Sequence, residues 1–318
     1  MITKAGFIAI IGQPNVGKST LLNQLVGMKL AGVSKKAQTT RQVIRGILTE
    51  SRGQIVYLDT PGFHTPKDPL GKYMIREVAK TFIDADLFYF MVDPKLPGQM
   101  DLALLDWLKT ESAAVGEKWK PGGKTTDLNK NQAKIPEKKP VFCLINKCDT
   151  IEKHDVLPVM ETYQNKFPFD ECMPVSALEK INLDLLLERT FSFLPEHEPY
   201  FPGDYTSDQP ERFLAAELIR EKLFRFTGQE VPYSTTVGIE SFREEEKIVR
   251  IEAVIYVERE SQKAILIGAR GEKMKQIGTA ARLDLEQMIG RKVFLQLWVK
   301  VLKNWKRDEK SLKRLGFE

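Results

Sequence analysis

The sequence predicts an α/β domain on a mostly parallel sheet, followed by a smaller α+β domain. Over residues 1–195, near-continuous apolar runs (GFIAIIG, QIVYLDT, DLFYFMVD, PVFCLIN and ECMPVSA) alternate with helical stretches. Runs that are apolar at every position suit strands covered on both faces, and helices between them suit parallel crossovers. A segment rich in Pro, acids and turn residues, LPEHEPYFPGDYTSDQP, then interrupts the pattern. Beyond it, the alternation in STTVGIES and KIVRIEAVIYVE marks strands covered on one face. At about 150 residues per domain, 318 residues also suggest two domains.

The boundaries follow from these signals: a first domain over 1–195, a linker over 196–210 and a second domain over 211–318. A lysine-rich insertion at 115–139, almost without apolar residues, reads as a surface excursion between a helix and the next strand. The second domain opens with a helix in SDQPERFLAAELIREKLFRF, where Phe213, Leu214, Leu218, Ile219 and Phe224 line one face. The alternating segments come next, with Val249, Ile251, Ala253, Ile255 and Val257 on one side. A short helix (SQKAILI), the loop GARG, a longer helix (EKMKQIGTAARLDLEQMI) and a strand (KVFLQLWVKV) complete an α-β-β-α-α-β unit. Its expected form is a three-stranded sheet with helices on one face, ending in a basic tail.

Hydrophobic residues make up 42% of the chain and charged residues 29%, a composition unlike disordered, collagen-like or membrane-bundle sequences. Cys143, Cys148 and Cys172 form no disulfide framework and no C-x-x-C pair, which favours a reduced cytoplasmic setting without structural zinc. The opening MITKAGFIAIIG reads as a buried first strand rather than a secretory signal. No apolar stretch approaches the ~18 residues of a membrane span. The net charge of +5 is uneven: residues 1–210 sum to zero, 211–260 to −3 and 261–318 to +8. A basic end on an otherwise neutral chain points to a polyanionic partner, either nucleic acid or an anionic membrane surface.

The polar residues that close the apolar runs carry the chemistry. Gly12-Gln13-Pro14-Asn15-Val16-Gly17-Lys18-Ser19 fits G-x-x-x-x-G-K-[ST] between the first run and the helical STLLNQLVG. Its glycines let backbone N–H groups wrap phosphate oxygens, and the helix start favours anions. Lys18 would neutralise the outer phosphates, and the Ser19 hydroxyl would complete a Mg²⁺ shell. Asp59-Thr60-Pro61-Gly62 closes the second run, placing Asp59 to hold Mg²⁺ through water and Gly62 to offer its N–H to a γ-phosphate. Asn146-Lys147-Cys148-Asp149 closes another. A carboxylate at Asp149 accepts from guanine N1–H and the N2 amino group, a donor pair adenine lacks. Asn146 would brace the site, the Lys147 stem would pack along the base, and Ala177 in Val175-Ser176-Ala177 would offer its N–H to guanine O6.

This set of four motifs resembles the GTPase domain of the translation-factor class. The resemblance implies a P-loop GTPase and supplies a fifth element in KAQTTRQ: Thr40 as the second Mg²⁺ hydroxyl, with Thr39 the alternative. The catalytic set is then Lys18, Thr40, Asp59 and Gly62, and the metal set is Ser19, Thr40 and Asp59. Phe63 follows the second motif where Ras-like enzymes carry a water-orienting glutamine, so hydrolysis would rest on positioning and charge neutralisation and would be slow. Asn15 either shapes the phosphate loop or, as in some related GTPases, helps hold a potassium ion.

In the second domain, Ile267-Gly268-Ala269-Arg270-Gly271-Glu272-Lys273-Met274-Lys275-Gln276-Ile277 fits I-G-x-x-G-x-x-I-x-x-I. The glycines let backbone approach a sugar-phosphate chain, with Arg270, Lys273 and Lys275 on its phosphates and Ile267, Met274 and Ile277 toward the groove or core. Ala269 completes the turn. The element order resembles a type II KH fold, a small α+β domain. Trp298 and Trp305 are candidates to flank RNA, with Trp298 partly in the core.

The combination resembles the Era family of GTPases. KAQTTR, DTPGFH, REKLFRFTGQEVPYS and ILIGARGEKMKQIG carry the resemblance over nearly the whole chain, the 115–139 insertion being the departure. It implies a monomeric, GTP- and GDP-binding, Mg²⁺-dependent factor that binds small-subunit rRNA in 30S assembly and associates peripherally with the bacterial inner membrane. Two other readings are a membrane-surface regulatory GTPase and an RNA-binding assembly factor with incidental hydrolysis.

Overall fold

The computed structural model describes residues 3–34, 36–111, 139–228 and 230–317, so the insertion expected at 115–139 lies outside the described residues but for Lys139. The first sheet is built from β1 (Lys4–Gly12), β2 (Ile44–Glu50), β3 (Gly53–Asp59), β4 (Leu87–Val92), β5 (Val141–Ile145) and β6 (Glu171–Pro174). Its order is β2-β3-β1-β4-β5-β6. The five runs read as strands pair in parallel, while β2 pairs antiparallel to β3. β2 is an edge strand of weak alternation, IRGILTE, which periodicity alone did not single out.

Helices cover both faces, as the near-continuous apolar strands require. On one side α1 (Lys18–Val26) and α5 (Leu183–Phe193) pack Leu21, Leu22, Leu25, Leu186 and Phe191 against Ile8, Ile10, Tyr57 and Tyr89. On the other, α2 (Pro69–Asp84), α3 (Gln99–Glu111) and α4 (Lys153–Gln164) bring Val78, Phe82, Trp107 and Tyr163 onto Ala9, Val56, Phe88 and Cys143. α2 starts cleanly because Asp68 accepts from the Gly71 N–H at 2.8 Å and proline occupies its first position. The doubly covered sheet brings the carboxyl ends of β1, β3, β5 and β6 to one edge, where ligands bind in such folds.

The second unit comprises α6 (Glu211–Phe226), β7 (Thr236–Glu244), β8 (Ile248–Val257), α7 (Glu260–Ile267), α8 (Glu272–Ile289) and β9 (Lys292–Val301). Its sheet has the order β7-β8-β9, with β7 antiparallel and β9 parallel to β8. Val249, Ile251 and Ala253 form its core with Leu218, Ile219, Ala281 and Leu285.

The structure adds to the readings of the linker, α6 and the basic end, and changes those of Trp298 and Trp305. The 196–210 linker is strapped along the first sheet: the Ile47 N–H donates to the Thr206 carbonyl at 2.8 Å, Gln54 pairs with the Phe201 backbone, and Arg45 meets Asp208 at 2.7 Å. α6 is buried well beyond one face, because Glu217, Arg220, Glu221 and Lys222 are covered along with its apolar residues. It lies between the two units. Trp298 is on the open sheet face at 37% exposed, since the phase of β9 turns Val293 inward and Phe294 and Trp298 outward. The basic end is not a free tail either. Trp305, α9 (Glu309–Arg314) and Phe317 pack with Leu70, Tyr73 and Met74 of α2. Trp305 is fully buried and donates to the Ser234 carbonyl at 3.0 Å, so its ring is unavailable to RNA here.

Candidate functional site

β1 ends at Gly12 and α1 begins at Lys18, so the phosphate-loop motif is the turn between them. Gly17 has φ 105°, and a Cβ there would come within 2.1 Å of the Asn146 amide, so this position admits glycine alone. That approach lets Asn146 join two motifs: its amide donates to the Val16 carbonyl at 2.7 Å and its oxygen accepts from the Ala177 N–H at 2.9 Å. The Ala177 N–H expected to meet guanine O6 is therefore engaged with Asn146 in this structure, because the bracing role and the base role compete for one donor.

Lys18 is buried and donates to the Gly12 and Gln13 carbonyls at 3.2 and 2.9 Å. Burial lowers its pKa to about 8, with Asp59 opposing. Ser19 Oγ lies 2.6 Å from Asp59 Oδ2 and 2.9 Å from Thr40 Oγ1, and Thr40 Oγ1 is 3.4 Å from the same carboxylate oxygen. Thr39 turns away and donates to the Lys36 carbonyl. Burial raises the Asp59 carboxyl to about 6, against Lys18 and the two hydroxyls. Its Oδ1 is buried without a hydrogen-bond partner. A half-satisfied buried carboxylate beside two hydroxyls is a set of hard oxygen donors, and it fits Mg²⁺.

A cavity of about 890 Å³ opens beside these groups. Of the residues expected at the nucleotide, Pro14, Asn15, Gly17, Lys18, Ser19, Thr40, Gly62, Asn146, Lys147, Asp149 and Ala177 line it. Gly12, Gln13, Val16, Asp59, Thr60, Pro61, Phe63 and Ser176 are not among its lining residues. Thr60 donates to the Ile10 carbonyl at 2.7 Å. The Phe63 ring packs on Trp107 with centroids 5.4 Å apart, so its side chain belongs to the core while its N–H donates to the Gly12 carbonyl at 3.0 Å.

Several wall residues were not legible from motifs. Asp93, which closes β4, holds Lys147 at 2.8 Å; its place at a strand end is the signal that could have found it. Leu178, 67% exposed, lines the cavity next to Ala177. Lys36, Gln38 and Thr39 line it from the loop after α1, and Glu221, Phe224 and Arg225 from α6 of the second unit. No local pattern reports those three, because they reach the cavity only through the packing of one domain on the other.

The loop around Thr40 is bound to the second unit. Arg220 donates to the Thr39 carbonyl and Lys36 to the Phe224 and Thr227 carbonyls. Arg41, 1% exposed, donates to the Thr235 carbonyl at 2.7 Å and lies between the Phe224 and Trp305 rings, 5.9 and 5.7 Å from their centroids.

Farther away, α7 ends and α8 begins on a tight turn over Gly268–Gly271. Gly268 (φ 71°) would bring a Cβ within 2.9 Å of Lys273, while Arg270 (φ 51°) and Gly271 (φ 78°) are left-handed. Ile267, Ala269, Arg270 and Lys275 are exposed and Lys273 half-buried, whereas Ile277 is in the core with Met274 packed on it. The turn thus presents backbone and cations together at the surface.

Comparisons with known proteins agree with this geometry. Residues 7–147 match the family model described as 50S ribosome-binding GTPase, and residues 230–306 match the KH domain. The chain is 40% identical over 316 residues to GTPase Era of Staphylococcus haemolyticus, covering 99% of this chain and 97% of that protein. It is 42% identical over 320 residues to GTPase Era of Syntrophus aciditrophicus, covering 99% and 95%. Among solved structures, a variant of Aquifex aeolicus Era bound to GDP·AlF4⁻ superposes with a TM-score of 0.87 at 37% identity, covering 99% of both chains. Era in complex with MgGDPNP and nucleotides 1506–1542 of 16S ribosomal RNA gives the same TM-score at 38% identity, with the same coverage. With the phosphate-loop and Asn-Lys-Cys-Asp motifs at the strand ends of a GTPase domain and a KH domain in the same polypeptide, this chain is a member of the GTPase Era family.

Proposed function

We propose that the protein binds GTP in the 890 Å³ cavity, hydrolyses it to GDP and phosphate, and uses the nucleotide to control a KH-type grip on the 3′ region of small-subunit rRNA during 30S assembly. The observation that carries this reading is the joining of Thr40 and Arg41: one residue faces the Ser19–Asp59 pair, and the next is buried in the second domain. A change at the phosphates then has a mechanical route to the RNA-binding unit. Residues 1–195 act as the nucleotide unit, 196–210 as the connector and 211–318 as the RNA unit, in a monomer.

Asp149 and Lys147 hold the base end, with Asn146 fixing both the phosphate loop and residue 177. Lys18 exchanges its carbonyl partners for phosphate oxygens, and the backbone N–H groups of residues 12–19 and Gly62 face the same charge. Ser19, Thr40 and Asp59 would hold Mg²⁺, which supplies positive charge to those oxygens when bound. With the Phe63 ring in the core, no side chain at that position orients a water, and intrinsic turnover is slow. Asn15 sits in the phosphate loop at φ 67° with its carbonyl accepting from Lys147 at 2.7 Å. We expect kcat to be higher in potassium than in sodium; identical rates in the two salts would remove the monovalent ion from the mechanism.

The RNA grip is tested by Gly268→Asp with Gly271→Asp. Added carboxylates repel phosphates, and Cβ atoms at φ 71° and 78° strain the turn. Affinity for an oligoribonucleotide of the small-subunit rRNA 3′ end should fall about 100-fold, with GTP hydrolysis retained. Parent-like RNA binding would defeat the assignment of this turn. No helix among the described residues is long and apolar enough to cross a membrane. The place of action in this reading is the cytoplasm, with peripheral inner-membrane association, and competition between rRNA fragments and anionic vesicles measures the weight of each.

A further inference from the structure

We propose that the nucleotide site is composite, and that Arg225, from α6 of the RNA-binding unit, supplies a cation to the phosphate chain of the bound nucleotide. This rests on the cavity being the GTP site. The wall of that cavity includes Glu221, Phe224 and Arg225 together with the phosphate-loop and Thr40 segments. The other cations in the wall have protein partners. Lys18 donates to the Gly12 and Gln13 carbonyls, Lys36 to the Phe224 and Thr227 carbonyls, and Lys147 to Asp93 and the Asn15 carbonyl. Arg225 is exposed and makes no hydrogen bond or ion pair among the described residues; its guanidinium lies 5.8 Å from the ring centroid of its neighbour Phe226.

The nearby acid does not claim it. Glu221 is already paired with Lys29 at 2.8 Å and lies 3.5 Å from Lys222. The position of α6 is itself fixed from both sides: Arg220 holds the Thr39 carbonyl, Lys36 holds the Phe224 carbonyl in its last turn and the Thr227 carbonyl just past its end, and Lys29 bridges Glu221 to Asp284 of α8. A guanidinium without a hydrogen-bond or ion-pair partner, in the last turn of a helix and in the wall of this cavity, is suited to forked hydrogen bonding with phosphate oxygens. Domain packing would thereby enter nucleotide affinity directly, besides acting through the Thr40 loop.

The test uses the full chain carrying Arg225→Ala or Arg225→Lys, with binding of GTP, GDP and guanosine measured by calorimetry at low and high salt. Arg225→Ala should weaken GTP and GDP about 5- to 20-fold at low salt, less at high salt, and leave guanosine unchanged; Arg225→Lys should recover part of the loss. Because the side chain is exposed, thermal unfolding and rRNA-oligonucleotide affinity should match the parent. GTP affinity within twofold of the parent, or an equal loss for guanosine, overturns the assignment. Failure of the parent itself to bind GTP would instead remove the reading of the cavity.

Discussion

Replacing Lys18 by alanine is expected to cut GTP affinity about a thousandfold, about 4 kcal/mol, and to abolish turnover. The magnitude follows from burial. A cation held out of water in the phosphate loop interacts with phosphate charge at a low effective dielectric, and its loss leaves phosphate oxygens without their charged donor. Thermal shift reads the effect without relying on catalysis. At a hundredfold excess over its Kd, GTP with Mg²⁺ should raise the parent's Tm by about 5 °C through mass action. The same addition should leave the Lys18→Ala melt in place. An equal shift in both proteins would mean that the nucleotide binds elsewhere.

The second large effect is expected at Arg41. Its substitution by alanine leaves the Thr235 carbonyl unpaired and opens space between the Phe224 and Trp305 rings. Unfolding free energy should fall by about 3 kcal/mol from these two terms. Lysine should not substitute well, since it lacks the planar fork that lies between two rings while donating to a carbonyl. Because Arg41 joins the units, urea unfolding should change shape too, with the two domains melting in separate steps. Turnover should drop, as Thr40 loses the neighbour that anchors its loop. A single transition at the parental midpoint would show that the domain contact does not depend on this residue.

Much of the nucleotide site could be read directly. The residues at 12–19, 59–62 and 146–149 occupy strand ends because each follows an apolar run, and a parallel sheet aligns such ends at one edge. The resemblance favours Thr40 over Thr39, and in the fold Thr40 meets Ser19 and Asp59 while Thr39 bonds the Lys36 carbonyl. The alternation in β8 likewise indicated which side of the second sheet is covered. The edge strand β2 carries neither a continuous apolar run nor a regular alternation in IRGILTE, so periodicity does not mark it.

The residues misjudged were those that answer to both domains. α6 has an apolar face suited to the KH sheet, yet its charged residues are also covered, since Arg220 and Lys36 exchange contacts across the interface. Among its lysines Trp305 reads as a surface aromatic, but it packs with Leu312 and Phe317 onto Leu70, Tyr73 and Met74 of α2. The apolar strand runs, the phosphate-loop motif, the Asn-Lys-Cys-Asp motif and the glycine-flanked turn before α8 are written in short stretches, because backbone geometry and side-chain periodicity act over a few neighbours. The cavity wall from α6, the burial of Arg41 and the strapped linker arise only when distant segments meet. Their energies depend on pairs such as Arg41–Thr235, 194 positions apart, to which no local pattern is sensitive.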